Sequence, residues 1–178
     1  MGKILGLQFN DWAAFKKNMK RIDFEKFLSI LSSDLYSFAF ILIPDDLQAG
    51  QLVVDAMQAY LITNKKNLED LFQTKSSDLN VFFAPIKKEV LKLIYELAKK
   101  RFHQIRLSIE DISKKEGFYH LELEEKAAIF LKDKMKLNND EISLLTMRSK
   151  SEVLSALYSA RIKMIDVIPF KIHQEVNV

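Results

Sequence analysis

The stretch Glu141 to Arg161, EISLLTMRSKSEVLSALYSAR, reads without interruption as helix, tight turn and second helix. The first helix has a start signal in Asn138, Asn139 and Asp140, whose short polar side chains accept bonds from the unpaired amides of a first turn. It buries Ile142 and Leu145. Ser149 and Glu152 then stand at capping-box spacing, where a hydroxyl and a carboxylate reciprocally satisfy two backbone amides, and a second helix starts there. Val153, Leu157, Ala160 and Met164 follow the three-or-four spacing of one helical face, leaving Lys150, Ser151, Ser155, Ala156 and Ser159 outward or lateral. Such a pair serves equally as an ordinary helical hairpin or as the helix-turn-helix that enters the major groove of DNA. The rest of the chain has to discriminate.

Composition points to helices. Four glycines and three prolines among 178 residues, against many Leu, Ile, Phe, Lys and Glu, suit helices with short connections and predict an all-α fold. The absence of cysteine excludes a disulfide framework and a thiolate metal site. No apolar run reaches the roughly eighteen residues of a membrane span, and the amino terminus lacks the pattern of an export signal, so the chain reads as cytoplasmic with no membrane insertion.

Along the chain, Trp12, Phe15 and Met19 suit a short leading helix among Lys16, Lys17, Lys20 and Arg21. Helices are expected near 24–31, 33–43 and 47–63, the last with Leu52, Val53, Ala56, Met57 and Tyr60 towards the core, and Pro44-Asp45-Asp46 breaks the chain between the second and third. Residues 64–84 read as a long connection anchored by Leu71, Phe72, Phe82 and Phe83. From Pro85, the spacing of Val90, Leu91, Ile94, Tyr95, Ala98 and Phe102 predicts an amphipathic helix. A linker over 104–117 separates a first domain, 1–103, from a second, 118–178, whose opening helix buries Leu123, Ala127, Phe130, Leu131 and Met135. The tail Pro169–Val178 carries Phe170, Ile172 and Val176, with no preferred placement.

The order of these elements adds a second signal. DFEKFLSILSSDLYSFAFILIPDDLQAGQLVVDAMQAYL, residues 23–61, places a Leu35–Ile43 helix, a polar turn, and then Ala49, Leu52, Val53 and Asp55 in succession. Glu141, Ile142, Val153, Ser155, Leu157, Ala160 and Arg161 follow in the second domain. Both sets resemble, in the same order, the small sigma factors of bacterial RNA polymerase, the extracytoplasmic-function group. The resemblance covers roughly residues 23 to 165, more weakly in the middle third. It implies two small helical domains joined by a linker, the second with a helix-turn-helix, and a transcription initiation factor whose partners are core RNA polymerase and promoter DNA.

Site residues follow from the same resemblance. Gln51, Asp55 and Gln58 fall on the helix that docks on polymerase. Lys99, Lys100 and Arg101 end the helix that captures the opened −10 element, where cations replace counterions on phosphate and a ring such as Phe102 stacks on unpaired bases. Arg148, Lys150, Ser151, Ser155 and Arg161 are the candidates for upstream duplex DNA. Several positions depart from the family pattern. Gly50, Gln51 and Val54 replace residues that dock on polymerase, Tyr95 and Glu96 stand where an Arg-Asn pair is usual, and Ala156 and Ser159 stand where arginines are common. Met147 replaces the turn glycine. These departures define the alternative, a sigma-fold interaction or regulatory protein that has lost promoter recognition and binds an anti-sigma or other regulatory partner.

Enzymatic chemistry is not expected. The chain has no Gly-rich phosphate loop and no His-Glu-x-x-His, and His103, His120 and His173 lie far apart. No catalytic residue, metal site or cofactor is predicted, and Asp45-Asp46 and Glu124-Glu125 read as turn and cap residues.

Overall fold

The computed structural model describes residues 21–64, 79–106 and 117–165, with side chains over 32–64, 84–102, 118 and 120–165. Six α-helices make up the described residues: α1 (Arg21–Leu42), α2 (Asp46–Thr63), α3 (Leu79–Arg106), α4 (Leu123–Ile129), α5 (Asn139–Thr146) and α6 (Lys150–Ile165). A 3₁₀ turn, Gly117–His120, precedes α4, and a π turn, Phe130–Lys134, continues it. The fold is all-α, with no strand among the described residues. No helix among them is long and apolar enough to cross a membrane. Trp12, Phe15, Met19, Leu71, Phe72, most of the expected linker and the tail Pro169–Val178 lie outside the described residues, as do the side chains of Phe82, Phe83 and His103.

Two helix boundaries differ from the sequence reading. The segments expected at 24–31 and 33–43 form the single helix α1, because Ser32 and Ser33 disfavour a helix interior only mildly and neither glycine nor proline interrupts the run. Helix α3 starts at Leu79 rather than at Pro85, which stands exposed within it and forfeits one ladder bond without ending the helix. The break between α1 and α2 is where Pro44 was expected to put it. Asp45 caps α2 by accepting from the Gln48 amide at 2.8 Å, and the Tyr36 hydroxyl donates to Asp46 at 2.6 Å, a bond that bridges α1 and the first turn of α2.

Helices α1, α2 and α3 pack pairwise on one another. Leu35, Phe38 and Leu42 meet Leu52, Ala56 and Tyr60, with Val90, Leu91 and Ile94 closing the core. In the second half, Leu123, Ala127, Phe130 and Leu131 are buried as expected, and Met135 packs half-buried beside them. Helix α4 is enclosed almost all round, since it lies against α6 on one side and α1 on another. The Phe38 and Phe130 rings meet with centroids 5.4 Å apart, so the core of the first three helices continues into that of the last three.

Beyond Ile129 the helix widens. The Met135 amide donates to the Phe130 carbonyl at 3.1 Å, the five-residue reach of a π turn, and Lys136 at φ 58° turns the chain away. Asn138 then caps α5: its side chain accepts from the Glu141 amide at 2.9 Å, while the Glu141 carboxylate accepts from the Asn138 amide at 2.9 Å. Met147 leaves α5 in the left-handed conformation, φ 53° and ψ 40°. The sequence requires either a turn that avoids positive φ or tolerated strain at this residue, and the chain takes the strained form. The expected box at the start of α6 is present, with the Ser149 amide donating to Glu152 at 2.8 Å and the Glu152 amide donating to the Ser149 hydroxyl at 3.3 Å.

Candidate functional site

The three surfaces singled out by the sequence can each be located. On α2, Gln51 is exposed and Asp55 and Gln58 are half-buried. Gln51 donates to Asp55 at 2.7 Å, and the other oxygen of Asp55 takes an ion pair from Arg101 of α3. An expected polymerase contact and an expected DNA contact are therefore bonded to each other. Lys99 and Lys100 stand exposed beside Arg101. Leu47, Val54 and Ile62 are exposed along α2, so its outer side mixes amides with apolar groups.

Cations of the second half are largely engaged. Arg148 reaches Glu124 of α4 at 2.7 Å and lies 3.7 Å from Glu152; Lys150 pairs with Asp140, and Arg161 lies 3.7 Å from Asp133. Ser151 and Ser155 are exposed. Ser159 does not face outward: its hydroxyl donates at 2.5 Å to Glu125, which also accepts from Lys163 at 2.7 and 2.9 Å. Glu125 is only 5% exposed. Burial pushes its carboxyl pKa up, but Lys163, Ser159 and the Glu122 amide outweigh that effect and hold it below the ordinary value.

The outer side of α6 carries a feature that the sequence reading did not assign. Leu154, Tyr158, Ile162 and Ile165 are 41, 67, 61 and 57% exposed. Their spacing of four, four and three puts them on one stripe, roughly 120° around the helix from buried Val153, Leu157 and Ala160. The helix thus has two apolar faces, one used and one presented. The signal is in the sequence, since Leu154, Tyr158 and Ile162 repeat at four-residue intervals, but Val153, Leu157 and Ala160 carry a helical period of their own that masks the second face. Leu144 and Met147, just before α6, are exposed as well.

A third arrangement lies between α3 and the helix pair. Lys88 donates to Glu141 at 2.6 Å, and this bond together with the Asn138 amide holds the Glu141 carboxyl below its ordinary pKa. Tyr95 is 1% exposed. Its hydroxyl pKa is raised chiefly by burial and further by Glu124, against the opposing pull of Arg148 beside it. The Tyr95 hydroxyl and the Arg148 guanidinium stand side by side, within each other's hydrogen-bonding influence. Among the described residues no three His, Cys, Asp or Glu side chains are grouped so as to hold a metal ion.

No protein-family model matches the chain, and no curated protein matches it. Its fold is similar to that of a solved structure, the anti-anti-sigma factor PhyR from Bartonella quintana complexed with the anti-sigma factor NepR. The TM-score is 0.50 at 15% sequence identity, over 82% of this chain and 50% of that one, so the chain spans about half the length of the protein it matches. At that identity the likeness is one of fold. It agrees with the sequence reading in an all-helical architecture.

Proposed function

We propose that this chain is a sigma-like regulatory protein that acts by binding a protein partner of the anti-sigma class and does not itself recognise a promoter. The observation that carries this reading is the outer face of α6. A helix that reads duplex DNA needs cations and polar groups there, for phosphate and for base edges. Here the face presents Leu154, Tyr158, Ile162 and Ile165, while Arg148, Lys150 and Arg161 each stand against a carboxylate. An exposed stripe of large apolar groups suits a protein surface, where aromatic and aliphatic anchors supply most of the affinity. The similarity to PhyR, a protein solved with an anti-sigma factor, supports the same reading.

The initiation-factor reading is the second. It is favoured by exposed Lys99 and Lys100 at the end of α3 and by the order of elements along the chain. Purification of the tagged chain from its own host across a salt titration separates the two. The expected outcome is a stoichiometric regulatory protein identified by mass spectrometry, lost when Tyr158 and Ile162 are both changed to glutamate. Stoichiometric core RNA polymerase retained by both forms would replace the first reading with the second.

A further inference from the structure

Helix α2 is uncharged on the side it presents as well as on the side it buries. Leu47, Gln51, Val54, Gln58 and Ile62 follow one another at intervals of four, three, four and four residues, a single stripe running roughly 22 Å along the helix. Leu47, Gln51, Val54 and Ile62 are exposed and Gln58 is half-buried. Asp55 borders the stripe on one side and is held by Arg101. Gly50 borders it on the other, where a Cβ would meet nothing within 4 Å, so the surface beside it is open. The order apolar, amide, apolar, amide, apolar reads the same from either end of the stripe. Reversed on itself, it sets Leu47 against Ile62, Gln51 against Gln58, and Val54 against Val54.

We propose that this face is the interface of a weak homodimer, in which two copies of α2 pack antiparallel across a two-fold axis at Val54. An isologous contact needs a self-complementary patch, and the stripe is one. A charge-free face excludes partners that would bury an unpaired charge against it, and a second copy brings none. Each glutamine amide carries both donors and an acceptor, so Gln51 and Gln58 satisfy one another across the axis while Gln51 keeps its bond to Asp55. The same operation brings the partner's Met57 and Leu61 over Gly50, a close approach that gives a use to a glycine with no packing role inside its own chain. An antiparallel contact of this length removes roughly 500 Å² from each copy, about 1,000 Å² in all, the lower end for a specific interface, so a micromolar Kd is expected. Treated in the same way, α6 would set Arg161 beside Arg161, a like-charge contact that leaves its stripe to a foreign partner.

Sedimentation equilibrium of the chain alone, from about 1 to 500 μM, reads the association directly. A monomer–dimer equilibrium is expected. Val54→Glu, at an exposed position, places two carboxylates at the axis and should raise Kd at least about tenfold, with helicity and urea midpoint unchanged at concentrations where both forms are monomeric. Register is tested by linkage, because the chain has no cysteine. When Leu47→Cys and Ile62→Cys chains are mixed, a short bismaleimide should join one of each in preference to two alike. A chain that stays monomeric, a dimer that Val54→Glu leaves intact, or like pairs joined as often as mixed ones overturns the proposal. A monomeric chain whose captured regulatory protein is lost with Val54→Glu also overturns it and assigns the α2 face to that foreign partner. None of the three substitutions touches α6, so the result is separable from what α6 binds.

Discussion

Two single residues hold backbone conformations that their side chains do not favour, in opposite senses. Gly50 sits inside α2, where its lack of a side chain costs about 1 kcal/mol relative to alanine, and a Cβ built there meets nothing within 4 Å. No close packing explains it. Met147 holds a left-handed conformation, a cost of about 1–2 kcal/mol that glycine would not incur, and its side chain is exposed. Gly50→Ala is therefore expected to stabilise the fold by about 0.5–1 kcal/mol. Met147→Gly should do so by a similar amount once the greater freedom of glycine in the unfolded chain is subtracted. Urea unfolding of each variant checks this; a destabilised Met147→Gly would mean that the side chain makes contacts outweighing the strain.

Among the elements, α6 depends most on its entry. Ser149 answers one unpaired amide of the first turn and Glu152 answers another, and Glu152 is held below its ordinary pKa first by the Ser149 hydroxyl and then by the Ser149 amide. Ser149→Ala should cost about 1 kcal/mol, read as a lower urea midpoint with an unchanged slope. A shift too small to measure would show that the box is ornamental in the folded chain. The α5–α6 pair was legible beforehand for the same reason that this test is simple. Asn138 with Glu141, and Ser149 with Glu152, lie three residues apart, so the signal is local. The unbroken run of α1 through Ser32 and Ser33 and the start of α3 ahead of Pro85 were not legible, because packing overrode mild propensities. Nor was the π turn after Ile129, whose extra residue leaves no mark in the apolar pattern. The contact between α3 and the α5–α6 pair was beyond reach altogether. Lys88 and Glu141 are 53 residues apart, and nothing near either residue names its partner.

At the scale of the whole molecule, two carboxylates tie distant parts together while held below their ordinary pKa: Glu125 between α4 and α6, and Glu141 between α5 and α3. A carboxylate depressed in the folded state binds its proton more readily in the unfolded chain. The stability it contributes is full above the unfolded value, about 4.3, and drains away as pH falls from there through the folded value. Stability should therefore be nearly level from about pH 8 to 5 and decline below that. Glu125→Gln should lower the thermal midpoint at neutral pH yet flatten the acid limb, so that the two curves converge at low pH. Parallel curves would show that the Lys163 and Ser159 contacts to Glu125 contribute nothing to the acid response.

Helix α4 has a different kind of consequence. Every residue from Leu123 to Ile129 except Glu124 is buried, including Glu125 and Lys126, whereas the outer sides of α2 and α6 carry exposed Leu47, Val54, Ile62, Leu154, Tyr158 and Ile162. Tolerance of amino-acid change is thus unevenly distributed. Six central positions hold the architecture and have almost no room to drift, while the residues that would choose a partner can be rewritten without disturbing them. A lineage built on this plan can exchange one binding specificity for another by a few outward substitutions and keep its frame, which is a route by which sequence similarity fades while the helical arrangement persists.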